Sequence, residues 1–157
     1  MTFQRGDIVL VPFPFTDLTR AKARPAAIIS SSEFNTTSPD IIVAAISSKV
    51  PAKLADTELL LLQTASGFKA TGLRVDSVVR TTKLYTLMQS LVYSTLGKLN
   101  QQTLGTLDEH LARAVGLSSV GIEMAARRYL EQRITELSLR VADLEKRLAA
   151  GGKSLAS

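Results

Sequence analysis

The sequence predicts a mainly β domain, a small barrel or sandwich, followed by an amphipathic helix. Three observations carry this. Between residues 6 and 87, short β-branched apolar runs alternate with turn-rich segments. No helix-length pattern separates these runs, which argues against parallel βαβ units. Near the C-terminus the apolar residues instead recur at alternating steps of four and three.

The elements follow in order. Residues 6–11, Gly-Asp-Ile-Val-Leu-Val, form a first strand with apolar side chains on both faces, ended by Pro12. Residues 12–17, Pro-Phe-Pro-Phe-Thr-Asp, read as a stiff loop, because two prolines lack ladder donors. A basic stretch, Arg20-Ala21-Lys22-Ala23-Arg24, leads to a second strand at 25–30. Residues 35–40, Asn-Thr-Thr-Ser-Pro-Asp, are turn chemistry. A third strand covers 41–47, nearly all apolar until Ser47, and a fourth covers 57–62. A Gly-bearing connection over 63–72 precedes a fifth strand at 75–80, with 84–87 pairing beside it.

Helical spacing then takes over. Asn100 caps a helix whose apolar positions are Leu104, Leu107, Leu111 and Val115, with Gly116 as its stop. Farther on, Leu130, Ile134, Leu137, Val141, Leu144 and Leu148 form an a/d pattern with Ile134, Val141 and Leu148 at a. Arg127 precedes the clean seam at an a position. Arg140 falls at g and Glu145 at e, the offset of an interchain pair in a parallel coil, while Leu139 lies off the seam. This helix either joins chains, with a second copy or another protein, or packs on its own domain. The expected organisation is a domain over 1–120, a helical extension over 121–150 and a loose tail over 151–157.

Composition narrows the chemistry. The 157 residues include no Cys, no Trp and one His, and 45% are hydrophobic. A disulfide framework, a thiolate metal site, a cysteine nucleophile and a two-histidine metal site are therefore excluded. The single His110 lies among the packing residues of its helix. The aspartates are scattered without metal-ligand spacing, and no phosphate-binding glycine loop is present. No apolar run reaches membrane-spanning length, and the N-terminus meets an acidic residue too early for a signal peptide. The expected location is cytoplasmic. A net charge of +5 permits a polyanionic partner without requiring one.

What remains for chemistry is Arg, Lys, Ser, Thr and Asp. Arg24 ends the basic stretch, and its planar fork suits a phosphate. Ser47 and Arg80 each close an apolar strand. For Arg24 alone a solvated loop charge is the favoured reading, while Ser47 and Arg80 read equally well as strand terminators. Whether they converge on an anion site depends on the fold.

The opening Arg5-Gly6-Asp7-Ile8-Val9-Leu10-Val11-Pro12-Phe13-Pro14-Phe15-Thr16-Asp17 resembles the start of MazF/PemK toxins, the toxin halves of bacterial type II toxin–antitoxin pairs. Arg24-Pro25 before an apolar strand is similar to the family's R-P motif. Ile42-Val43-Ala44-Ala45-Ile46-Ser47 resembles its third strand, and Asp76-Ser77-Val78-Val79-Arg80 and Lys83-Leu84-Tyr85-Thr86-Leu87 its later ones. The resemblance covers residues 5–117.

It implies a small SH3-like β barrel, commonly a homodimer, with a cognate antitoxin as partner. It also implies a metal-independent, cofactor-free endoribonuclease acting on single-stranded RNA, mostly mRNA, at short sequences. The substrate's 2′-hydroxyl attacks the adjacent phosphate, leaving a 2′,3′-cyclic phosphate and a 5′-hydroxyl. Arg24, Ser47 and Arg80 match the family's catalytic positions, Arg80 an arginine that some members use as general acid. Thr16, Asp17, Thr19, Lys22, Ser48, Lys49, Thr82 and Lys83 are the expected substrate contacts. Two departures stand out. Some members carry an acidic base two residues after that arginine, where this chain has neutral Thr82. A common Asp after a later strand is Met88. A non-cleaving RNA- or protein-binding module is one alternative. A gyrase-poisoning toxin on the same barrel is another, disfavoured because the ribonuclease-type positions are filled.

Overall fold

The structure is a computed structural model that describes residues 3–14, 21–117 and 119–152. The chain divides into two compact units, Met1–Gly116 and Leu117–Ser157. In the first unit six strands form one curled antiparallel sheet: β1 (Asp7–Pro14), β2 (Ala21–Ile28), β3 (Asp40–Ser47), β4 (Glu58–Leu61), β5 (Ser77–Met88) and β6 (Ser94–Lys98). Their order across the sheet is β4-β5-β3-β2-β1-β6. Helix α1 (Ser32–Thr37) follows β2, and α2 (Gln101–Ala114) follows β6. The second unit contains α3 (Ser119–Gly152), which runs through the first two residues of the expected tail. Among the described residues no helix is long and apolar enough to cross a membrane.

The central strands are apolar on both faces because each face meets a core. In β3, Ala44 and Ile46 join one cluster with Ile8, Ala27, Val79 and Leu107. Ile41, Val43 and Ala45 join the other with Val9, Val11, Ala26 and Ile28. Alternation with period two sends neighbouring residues to opposite clusters. Helix α2 closes the first cluster with buried Leu107 and half-buried Leu104 and Leu111. Its start is as expected, with Asn100 Oδ1 accepting from the Thr103 N–H at 2.8 Å. Val115 lies outside the helix, exposed at its C-cap, and Gly116 follows with a φ of 73°.

Four sequence expectations are corrected. Residues 12–14 are strand, not loop: β1 pairs with β2 as far as Pro14 opposite Ala21. The prolines fit because β6 pairs only with Asp7 to Leu10. The Leu10 carbonyl accepts from the Tyr93 N–H, so it faces the β6 side. Pro12 and Pro14, two and four residues on, face that side beyond the end of β6, where no partner needs a donor. The basic stretch from Ala21 to Arg24 is likewise β2, paired across β1. The turn expected at 35–40 overlaps α1, which is capped by Ser31 Oγ accepting from the Phe34 N–H. Residues 77–88 are one long strand, because Ala44 lies opposite Leu84 while Ala45 lies opposite Arg80. Thr81, Thr82 and Lys83 are therefore a bulge, which bends the strand without ending it.

One close backbone approach fixes the end of this sheet. A Cβ on Gly97 in β6 would lie 2.2 Å from the Ala70 carbonyl oxygen, and one on Gly72 would lie 2.1 Å from that of Leu96. Gly72 also has a φ of 71°, which side chains disfavour. Gly105 in α2 has open space around it. Gly97→Ala should therefore destabilise the fold by about 1–3 kcal/mol. Gly105→Ala should stabilise it by about 0.5–1 kcal/mol. Urea unfolding monitored by circular dichroism checks both, and equal midpoints for the two variants would refute the assignment.

Candidate functional site

The sheet register brings the strand-end residues together. Ala26 pairs with Ala45, Ala45 with Arg80, and Arg80 with Glu58, giving one row across β2, β3, β5 and β4. Arg24 is two residues from Ala26, and Ser47 two from Ala45. Period-two alternation puts Arg24, Ser47, Arg80 and Glu58 on the same face. Ala26 and Ala45 belong to the second core, and Arg24 and Ser47 carry the same row on to the strand ends.

Here the strand ends frame a cavity of about 710 Å³. Lys22 and Arg24 come from β2, Ser47, Ser48 and Lys49 from the end of β3, and Arg74 from the segment before β5. The apolar wall includes Leu10, Leu73 and Leu96, held by the Gly72/Gly97 approach. Among the described lining residues there are four cations and no carboxylate. Like charges on low-dielectric walls focus a positive potential, which draws in an anion. Ser47 Oγ accepts from the Lys49 N–H at 3.1 Å, a local turn that ends the strand. Its own O–H remains able to donate.

Arg80 stands next to this cavity rather than in its lining. Its Nη2 donates to the Lys49 carbonyl at 3.4 Å. Its Nε lies 3.6 Å from Glu58 Oε1, buried and without a hydrogen-bond partner among the described residues. Glu58 Oε2 in turn accepts from the Ala55 N–H at 3.1 Å. Arg80 is thus a cation steered by a carboxylate on the adjacent strand and anchored to the cavity wall.

Of the expected contacts, Lys22, Ser48 and Lys49 join Arg24 and Ser47 in the cavity. Thr82 and Lys83 do not; they are exposed on the bulge of β5. The bulge is rooted by buried Thr81, whose Oγ1 donates to the Thr57 carbonyl at 2.7 Å. Thr16, Asp17 and Thr19 lie outside the described residues. His110 is elsewhere, with Nδ1 at 2.6 Å from the Asp56 carbonyl. A carbonyl only accepts, so Nδ1 carries the proton. Sequence reasoning missed Glu58 and Arg74. Arg74 sits just beyond the segment read as connection, and the glycine at position 72 is its local signal. Glu58 has no local signal, since only strand pairing brings it to Arg80. Among the described residues no group of His, Cys, Asp or Glu is placed to hold a metal ion.

The family model described as "PemK-like, MazF-like toxin of type II toxin-antitoxin system" matches residues 4–115. No curated protein matches the sequence. Several solved structures share the fold. One is an endoribonuclease in complex with its cognate antitoxin from a mycobacterial species. It is 18% identical, with a TM-score of 0.59, covering 74% of this chain and 97% of that one. Another is the Mycobacterium tuberculosis toxin MazF-mt6, 21% identical with a TM-score of 0.57, covering 71% and 98%. A third is MazE-MazF from Deinococcus radiodurans, 17% identical with a TM-score of 0.58, covering 75% and 99%. With the family model spanning the sheet, α2 and every described residue of the cavity, the chain belongs to the PemK-like, MazF-like toxins of type II toxin–antitoxin systems.

Proposed function

We propose that the chain is an endoribonuclease that cuts single-stranded RNA, chiefly mRNA, at short sequences in the cytoplasm, acts as a homodimer and is neutralised by a cognate antitoxin. The observation that carries this reading is the cationic cavity at the ends of β2 and β3, with Arg80 beside it. Its cations suit a phosphodiester. The relatives in complex with an antitoxin support the partner.

In this reading the nucleophile comes from the substrate. The 2′-hydroxyl gives up its proton as its oxygen bonds to the adjacent phosphorus. The bond from phosphorus to the 5′-oxygen breaks and that oxygen takes up a proton, so the step conserves protons overall. The products are a 2′,3′-cyclic phosphate and a 5′-hydroxyl. Arg24 and the Ser47 hydroxyl hold the phosphoryl oxygens, and Lys22, Ser48, Lys49 and Arg74 bind the neighbouring backbone. Thr16, Asp17, Thr19, Thr82 and Lys83 extend the contacts to the flanking nucleotides. Arg80 stabilises the negative charge that develops on the phosphoryl oxygens. Glu58 is the positioning residue for Arg80.

The test is incubation of purified protein with a long single-stranded RNA in EDTA, with end-group analysis of the products. Cleavage that leaves cyclic phosphates is expected. No cleavage, or cleavage lost in EDTA and restored by Mg²⁺, overturns the reading. Arg24→Ala, Ser47→Ala and Arg80→Ala should each slow single-turnover cleavage by at least about tenfold, with the fold intact. Wild-type rates in all three would remove the cavity from the mechanism.

Arg74→Ala should weaken RNA binding at every sequence and lower the slope of log affinity against log salt by about 0.7. A titration at several salt concentrations reads this, and an unchanged slope would take Arg74 out of the phosphate path. Glu58→Gln should lower kcat by about tenfold with little change in KM, because it loosens Arg80 without touching the RNA. A change confined to KM would instead place Glu58 in direct substrate contact.

A further inference from the structure

Helix α3 carries a seam that neither the fold family nor the cavity accounts for. It has 34 residues and is about 51 Å long at 1.5 Å per residue. Leu130, Ile134, Leu137, Val141, Leu144 and Leu148 are each more than half exposed along one stripe. We propose that this stripe is the core of a parallel, in-register, two-stranded coiled coil formed with a second copy of the chain.

The choice of occupant rests on three observations. First, the a positions include β-branched Ile134 and Val141, and the d positions are Leu130, Leu137 and Leu144. In parallel coils this combination selects two strands over three or four. Second, every g position beside the seam is an arginine: Arg133, Arg140 and Arg147. The e positions are Glu131, Ser138 and Glu145. An antiparallel pair sets g against g and e against e, stacking arginines on arginines. A parallel pair sets g against the following e, so Arg140 meets Glu145 of the second copy, twice by symmetry.

Third, the charges within the helix are already sorted this way. Arg133 pairs with Glu136, Arg147 with Asp143, and Arg127 with Glu131 inside the same helix. Arg140 and Glu145 have no ion-pair partner among the described residues, so both are open to a second chain. Leu139 falls at f, on the outside of such a pair, and marks the face that the coil leaves uncovered.

The chain has no cysteine, so a single introduced thiol reports its own neighbour. Leu144→Cys in the full chain places a sulfur at d, which faces the same residue of the second copy only in a parallel, in-register pair. Oxidised glutathione should convert most of this variant into a disulfide-linked dimer. Leu139→Cys at f should stay largely monomeric on a denaturing gel. Leu137→Cys, also at d, repeats the test independently. Arg140→Glu should weaken association of the full chain about tenfold in sedimentation equilibrium, and adding Glu145→Arg should restore it. Cross-linking at f equal to that at d, no cross-linking at d, or a double variant weaker than the single one would overturn the proposal.

Discussion

The register of β3 against its two neighbours is the constraint on which the rest depends. β3 is buried on both faces, so a slip of one residue would exchange the contents of both cores and leave neither packed. Ala26 of β2 lies opposite Ala45 of β3, which lies opposite Arg80 of β5. Once that row is set, Arg24, Ser47 and Arg80 have no freedom to face elsewhere. The polar site is therefore a by-product of how the apolar centre of the sheet is aligned.

The cavity also needs a second wall, which a sheet alone does not provide. Gly72 and Gly97 bring the segment before β5 against β6, where a methyl group on either would collide with a carbonyl oxygen. That approach holds Leu73 and Leu96 in the wall and Arg74 at the rim. Gathering four cations there runs against folding stability, since like charges repel in a partly desolvated space. Arg80 shows the opposite device, with one carboxylate on the neighbouring strand steering a single guanidinium.

The second unit follows another logic. Its long helix buries none of its seam, and its ion pairs along the same helix add at most a few tenths of a kcal/mol each. In water a lone helix depends on packing an apolar face. The distribution of charge beside the seam, with Arg133, Arg140 and Arg147 on one flank and Glu131 and Glu145 on the other, gives that face a direction as well as an area.

By itself the sequence determined whatever is written in local periods. The apolar runs near residues 8–11, 26–29, 41–47 and 58–61 are strands, Asn100 and Gly116 bound α2, and α3 covers its heptads. The motifs resembling the toxin family sit on those same elements. Tertiary structure alone decided how the strands are paired. It admitted Pro12 and Pro14 to a strand because β6 ends before reaching them. It fused two short runs into β5 through the bulge at 81–83, and so carried Thr82 and Lys83 away from the cavity. It set Glu58 beside Arg80, and it brought Arg74 and Lys22 to one cavity although they lie 52 positions apart in the chain. Side-chain alternation is a property of neighbouring residues and can be read along the chain. Which strand lies next to which, and in what register, depends on the joint packing of both cores and has no local signature.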